Sequence, residues 1–273
     1  MKKKKILVFG GVVCVVAIVI AVAILMKKGN SPETETTQEP EKRRLSEPVN
    51  VIPVMERAYV SILPIVDGRH LDISINHLNK EAEKVEYELE YQSGTMLQGA
   101  MGEISLESLP VKEQIFLGSC SAGGACTYHT DISGGNLLLT FIGPENYALK
   151  TNWRYIDNST RSTEVASWDA KFQMDSALLA SIRYMIVFNS PGIPEGYEEL
   201  SEEEFTIISD IYSFTTSSAV QGKGAVSIRL AEDVSSAKIV GFNGSKWVKF
   251  DTTVEDKVAK AEVELMELYT VIR

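Results

Sequence analysis

Histidine and cysteine are scarce in this chain, with three of each among 273 residues. The sequence also lacks the G-x-S-x-G turn of serine hydrolases, the H-E-x-x-H zinc motif and a glycine-rich phosphate loop. These absences argue against the nucleophilic, zinc-dependent and nucleotide-dependent enzymes that such motifs identify. A carboxylate-dependent enzyme has no such motif and is not excluded. The two carboxylates of a glycosidase need only a separation of about 5–10 Å in space, which the sequence does not show.

Basic residues are also few beyond residue 28 relative to the acidic residues there. None of the 37 acidic residues lies in the first 28 positions, whereas six of the 27 basic residues do. The remainder therefore has 21 basic residues and a net charge of −16. Such a field opposes binding to nucleic acid, so we expect no nucleic-acid partner. No cofactor motif is present, and we expect no cofactor.

The one long apolar run is Ile6–Met26, 21 residues without a charge. As a helix it is long enough to cross a bilayer. Four lysines precede it and two follow it, which predicts a cytoplasmic N-terminus and an extracytoplasmic remainder. Residues 1–28 are thus predicted to form a stub and signal-anchor helix of a single-pass cell-membrane protein. Cleavage after Ala23 stays an alternative, which the length of the run disfavours.

Residues 29–48 are polar and proline-containing, with Leu45 as the only sizeable apolar side chain before residue 48. Such a segment cannot bury enough surface to offset the loss of chain entropy on ordering. It is predicted to be a disordered linker between the membrane and a folded part.

After Pro48 the dominant hydrophobic period is two. The segment 70–76 alternates apolar and polar residues, and 85–91 places four apolar residues on one face and three glutamates on the other. Turn residues separate many such segments, which predicts an all-β protein of antiparallel, immunoglobulin-like sandwiches. The predicted strands are 58–66, 70–76, 85–91, 114–119, 126–132, 136–142, 147–155, 164–174, 182–189, 211–215, 225–230, 238–242, 247–250, 257–265 and 269–272.

A domain boundary is predicted near the segment Pro191–Pro194, which an acidic stretch follows. It divides the folded part into a larger sandwich over 49–195 and a smaller one over 196–273. Within the smaller one, Asn243-Gly244 is the strongest hairpin signal in the chain, and Trp247 is expected to anchor the core.

Two stretches resemble known groups of proteins. The segment 238–254 has a strand ending in Asn243-Gly244, a strand with Trp247 and a Thr-Thr-Val segment; together with the closing Tyr269-Thr270-Val271 it resembles a small β-module of prokaryotic surface proteins. The part that includes 117–120 and 126–129 resembles uncharacterised membrane-anchored proteins of genome-reduced candidate-phylum bacteria. Both resemblances imply a surface location and a β-sandwich fold, and neither implies an activity or a site residue.

Cys120 and Cys126 flank a five-residue loop, Ser121–Ala125. Outside the membrane such a pair is expected to form a disulfide. A metal site formed by Cys120, Cys126 and His129 is the weaker alternative, because the spacing matches no common zinc pattern. His70 and His77 are seven positions apart in one strand, so they are expected to face opposite sides.

The acidic stretch near the predicted boundary offers a second metal candidate, calcium held by Glu199, Glu202 and Glu203, although glutamate runs are usually solvated. For a ligand, Trp153, Tyr155 and Trp168 are candidates for a sugar-stacking platform, with core packing as the commoner fate of strand aromatics.

The tether, the sandwich pattern and the lack of a catalytic set together predict a non-catalytic cell-surface binding or structural module. The partner would be a surface glycan or a protein. A carboxylate-dependent carbohydrate- or cell-wall-directed enzyme and an accessory subunit of a membrane complex remain the alternatives.

Overall fold

The computed structural model describes residues 48–200 and 205–273. This part of the chain contains three short 3-10 helices, no α-helix, and 19 strands, so the all-β prediction is confirmed. The 3-10 helices are Val54–Glu56, Ala177–Ser181 and Tyr197–Leu200. The strands are β1 (Tyr59–Pro64), β2 (His70–His77), β3 (Lys84–Ser93), β4 (Met96–Ser105), β5 (Val111–Phe116), β6 (Gly118–Cys120), β7 (Cys126–Tyr128), β8 (Ile132–Ile142), β9 (Tyr147–Asp157), β10 (Glu164–Ala166), β11 (Phe172–Asp175), β12 (Tyr184–Asn189), β13 (Tyr212–Thr216), β14 (Lys223–Arg229), β15 (Lys238–Phe242), β16 (Trp247–Lys249), β17 (Thr253–Glu255), β18 (Val258–Glu264) and β19 (Leu268–Ile272).

Nine of these strands form one antiparallel sheet, in the order β16-β15-β19-β13-β12-β9-β8-β3-β4. A three-stranded sheet (β1-β2-β5) and a five-stranded sheet (β10-β11-β14-β18-β17) pack against it, and β6 and β7 form a separate hairpin. The predicted strand 164–174 is two strands, because Ser167–Lys171 form a turn with Ala170 at φ +55°. The sequence pattern gave no sign of β4.

The two smaller sheets lie on opposite faces of the nine-stranded sheet. Ile186 and Phe188 of β12 belong to the core under the three-stranded sheet. Met185 and Val187 of the same strand belong to the core under the five-stranded sheet. Successive side chains of a strand point to opposite faces. The central strand β12 therefore supplies one row of side chains to each of two sandwich cores.

The alternation of apolar and polar residues seen in the sequence corresponds to buried and exposed side chains in the structure, as β3 shows. In β3 the apolar residues Val85, Tyr87, Leu89 and Tyr91 are buried, while Glu88 and Glu90 are exposed. This burial supplies most of the stabilisation, at about 25 cal/mol for each Å² of apolar surface removed from water.

The predicted domain boundary near residue 195 lies between β12 and β13. These two strands are hydrogen-bonded neighbours over Met185–Asn189 and Tyr212–Thr216. The core under the five-stranded sheet also contains residues from both sides of this point, from Val165 to Val271. The described residues, 48–200 and 205–273, belong to one compact unit.

The predicted membrane span 6–26 and the predicted linker up to residue 47 lie outside the described residues. Within the residues that the structure does describe, no helix is long and apolar enough to cross a membrane.

Candidate functional site

A groove of about 1160 Å³ lies beside the three-stranded sheet. One wall is the outer face of that sheet, where Ser61, Ser74 and Lys112 occupy neighbouring positions in register on β1, β2 and β5. The opposite wall consists of three connections from the C-terminal part of the chain: 217–222 between β13 and β14, 243–246 between β15 and β16, and 265–267 between β18 and β19. The groove therefore combines segments that are far apart in sequence.

Glu267 is the carboxylate that the C-terminal wall presents. The β18–β19 turn is fixed by its backbone, since Glu267 N donates to Phe242 O at 3.0 Å and Glu267 O accepts from Phe214 N at 2.8 Å. The side chain is open to the groove, but the surrounding protein still desolvates it. Burial raises the pKa of Glu267, and the positive charge of Lys112 on the other wall partly opposes this rise.

The tight turn at Asn243-Gly244 brings the backbone close to this carboxylate. Gly244 has φ +91°, and a Cβ there would lie 3.1 Å from Glu267 Oε1. Asn243 Oδ1 holds the turn by accepting from Ser245 N and Lys246 N at 3.1 and 3.0 Å. β15 and β16 pair on either side, so the predicted hairpin is confirmed.

The sheet wall offers neutral polar groups. Asn76 Nδ2 donates to Ser61 Oγ at 3.0 Å, which orients the Asn76 amide along the wall. These hydroxyl and amide groups can each accept and donate hydrogen bonds. Together with Lys112 and Glu267 they give the groove donors and acceptors on both walls.

A cluster of packed aromatic rings borders the groove. Tyr59 meets Phe242 edge-on with 6.2 Å between ring centroids, and Phe242 lies 5.4 Å from Trp247. Trp247 Nε1 donates to the Glu195 carbonyl oxygen at 3.1 Å, and His77 Nε2 lies 3.1 Å from Glu195 Oε1. Burial raises the pKa of Tyr59, and the charge of Glu267 adds to this rise, so its hydroxyl stays protonated and able to donate.

Comparisons with family models, with curated proteins and with solved structures find no match. The groove's own geometry is therefore the basis for any functional assignment.

The cysteine pair lies away from the groove, on the exposed β6–β7 hairpin. The sulfur atoms of Cys120 and Cys126 are at disulfide distance, 2.06 Å. The third residue of the alternative metal set, His129, instead pairs through Nδ1 with Tyr91 Oη at 2.8 Å. At the base of the hairpin the Arg69 guanidinium lies 3.9 Å from the centre of the Tyr128 ring.

The other candidate residues are also spread over the surface. His70 Nδ1 pairs with Asp67 Oδ2 at 2.6 Å, far along β2 from His77. Glu199 lies in a 3-10 helix, while Glu202 and Glu203 fall outside the described residues. Among residues 48–200 and 205–273, no group of three or more His, Cys, Asp or Glu side chains is placed to hold a metal ion.

Two of the three candidate platform residues have the commoner fate of strand aromatics, which is core packing. Trp153 and Tyr155 are 0% and 6% exposed, because both point into the core under the three-stranded sheet, and only Trp168 is exposed. The aromatic residues that line the groove are Tyr59, Phe214 and Phe242, all of them buried. The alternating residues of β1 and β15 predict these strands, but they do not show that the Tyr59 and Phe242 rings meet.

Proposed function

We propose that the protein is a non-catalytic binding module, anchored in the cell membrane through residues 6–26 and displayed on the extracytoplasmic side, and that the groove holds its ligand. The observation that carries the proposal is the groove itself. Facing walls from distant segments present hydroxyl, amide, ammonium and carboxylate groups. Ligand sites generally combine such concavity with a few oriented polar groups. The sandwiches are proposed to be immunoglobulin-like in connectivity.

A surface glycan is the ligand class that these groups suit best. Ser61, Asn76 and Glu267 are placed to exchange hydrogen bonds with the hydroxyl groups of a sugar chain. The Tyr59 and Phe242 rings are themselves buried, at 5% and 8% exposed, so they support the wall of the groove and do not offer free ring faces. The acidic net charge of the chain argues against an anionic polymer.

A carboxylate-dependent enzyme is the second candidate, and one observation favours it. The pKa of Glu267 is raised, mainly by burial, and raised carboxyl pKa values are typical of general acids. Glu195 and Glu264 line the same groove and would be the available second carboxylates.

A sedimentation experiment tests the proposal: the full-length chain in detergent is mixed with insoluble cell-wall glycan, and the protein retained in the pellet is measured. We expect wild-type protein to sediment with the glycan and to release no soluble fragments. Lys112→Ala should weaken retention about tenfold, the effect of one charge-assisted hydrogen bond. Glu262→Gln, on the exposed face of the five-stranded sheet, is the control for loss of a carboxylate and should leave retention unchanged.

The same experiment separates the two candidates through Glu267→Gln. Release of soluble fragments by the wild type, abolished by Glu267→Gln, would establish the enzyme. Retention without release in both proteins would support the binding module. Absence of retention in the wild type would contradict a glycan ligand.

A further inference from the structure

Strand β4 is the free edge of the nine-stranded sheet. It is hydrogen-bonded along its full length, Met96–Ser105, to β3, and within the described residues it has no strand on its other side. The opposite edge of this sheet, β16, is only three residues long. A long exposed edge is a template for pairing with another strand, and proteins usually protect it with lysine, proline or a bulge. β4 has no lysine, arginine or proline, and its pairing with β3 is regular.

The side chains of β4 also leave apolar surface exposed. The even-numbered residues face the core, where Ile104 is buried. The odd-numbered residues face the other side, and two of them are strongly exposed apolar side chains, Leu97 at 65% and Met101 at 81%. Gly99 lies midway between them. The exposed side of the strand is therefore symmetric about Gly99.

We propose that β4 pairs antiparallel with β4 of a second copy of this chain, with the two-fold axis at Gly99. A two-fold axis perpendicular to the sheet keeps the same face on the same side, so the odd residues of one copy must oppose odd residues of the other. In the register centred on Gly99, Leu97 of each copy lies opposite Met101 of the other copy, which gives two such pairs. These cross-strand apolar pairs are the unit that stabilises a sheet.

Charge favours this register and a second copy as the occupant. The only charged residue of β4 is Glu103, which pairs with Lys84 at 2.6 Å. Centring on Gly99 places Glu103 opposite Thr95, and centring on Ala100 would place it opposite the apolar Leu97. Glu90 of β3 lies beside Gly99. Its counterpart in the second copy would be three strand spacings away, about 14 Å, which exceeds the screening length at physiological salt.

Cysteine cross-linking of the purified full-length chain tests the register. In a Cys14→Ala background, the double variant Leu97→Cys/Met101→Cys should cross-link to twice the chain mass on mild oxidation. Each single variant should form no covalent cross-link, because four residues of strand separate the two like positions in the dimer by about 13 Å. Gly99→Cys alone should cross-link, since its two copies lie at the axis.

Three outcomes would overturn the proposal. Equal cross-linking of the two single variants and the double would indicate random collision. Cross-linking by Met101→Cys alone would indicate another register. Monomers throughout would indicate that the copies do not pair, and wild-type sedimentation provides an independent check. We expect a dimer that Met101→Lys dissociates. Val66→Lys, at an equally exposed site between β1 and β2, is the control that should remain dimeric.

Discussion

Val187 and Phe188 are neighbours in β12, yet their side chains lie in different hydrophobic cores on opposite faces of the nine-stranded sheet. The two sandwiches thus share a strand, and β12 is paired with β9 on one side and β13 on the other. A disturbance in either core acts on the same backbone hydrogen bonds. This arrangement predicts that the two cores unfold together.

Truncation of each residue tests this coupling. Phe188→Ala should cost about 3–5 kcal/mol and Val187→Ala about 2 kcal/mol of unfolding free energy, through lost burial and the cavity left behind. Both variants should show a single unfolding transition by calorimetry, shifted to lower temperature. Two transitions, of which each variant shifts only one, would indicate independent domains and support a boundary near residue 195.

Asp169 ties the β10–β11 turn to the nine-stranded sheet. Burial alone would raise its pKa, but hydrogen bonds from Ser167 Oγ, from Lys171 N at 3.1 Å and from Tyr212 Oη at 3.0 Å outweigh it and lower the pKa. Because the pKa falls on folding, the ionised form stabilises the protein above the unfolded value of 3.8, and this contribution is lost as pH falls through the folded value.

Asp169→Ala should therefore destabilise the protein at pH 7 by about 1 kcal/mol, a modest cost because solvent also reaches the carboxylate. The difference from wild type in denaturant unfolding should shrink below pH 3.8. Asp251→Ala, at a fully exposed position, serves as the matched control. A pH-independent difference would show that the Asp169 carboxylate does not contribute through its charge.

Glu267 should have the opposite pH dependence. Its pKa is raised on folding, so the folded state holds its proton more tightly than the unfolded state does. Stability linked to this group is therefore greatest below the ordinary value of 4.5 and is lost as pH rises through the folded pKa. Glu267→Gln should match wild type near pH 4 and melt at a higher temperature at pH 7. A lower melting temperature at pH 7 would show that the ionised carboxylate has a stabilising contact.

The disulfide should affect one loop and little else. Residues 120–126 are all exposed, so the bond joins no part of either core. Replacing both cysteines with serine should cost about 2 kcal/mol, the chain-entropy value for such a short ring. Backbone amide exchange should accelerate more in the β6–β7 hairpin than in β12, where it can rise only through the lower global stability. An equal or larger acceleration in β12 would contradict this local role.

The sequence predicts those strands and turns whose cause lies in neighbouring residues. Alternation in 85–91 predicts β3 because one face is buried, and Asn243-Gly244 predicts a hairpin because the turn requires a positive φ at Gly244. β4 escapes prediction because Gly99 and Gly102 interrupt the alternation and Met101 faces solvent. Its strand conformation is imposed by pairing with β3.

The groove could not be predicted either, because its residues come together only through tertiary packing. Lys112 belongs to β5 of the three-stranded sheet and Glu267 to the β18–β19 turn, and only the packing of that sheet beside the turn brings them to facing walls. Nothing local distinguishes Glu267 among 37 acidic residues. Its raised pKa results from burial in the assembled fold. The same holds for Trp153, whose position in a strand does not reveal which face is covered.

The most direct test of the groove as a ligand site is hydrogen–deuterium exchange of the full-length chain with and without soluble cell-wall glycan fragments. We predict slower exchange in 61–63, 74–77, 243–245 and 264–267, with the exposed hairpin 118–128 unchanged. Lys112→Ala should require about ten times the fragment concentration for the same protection, in line with its weaker retention. Protection elsewhere on the protein, or none at any concentration, would contradict the account.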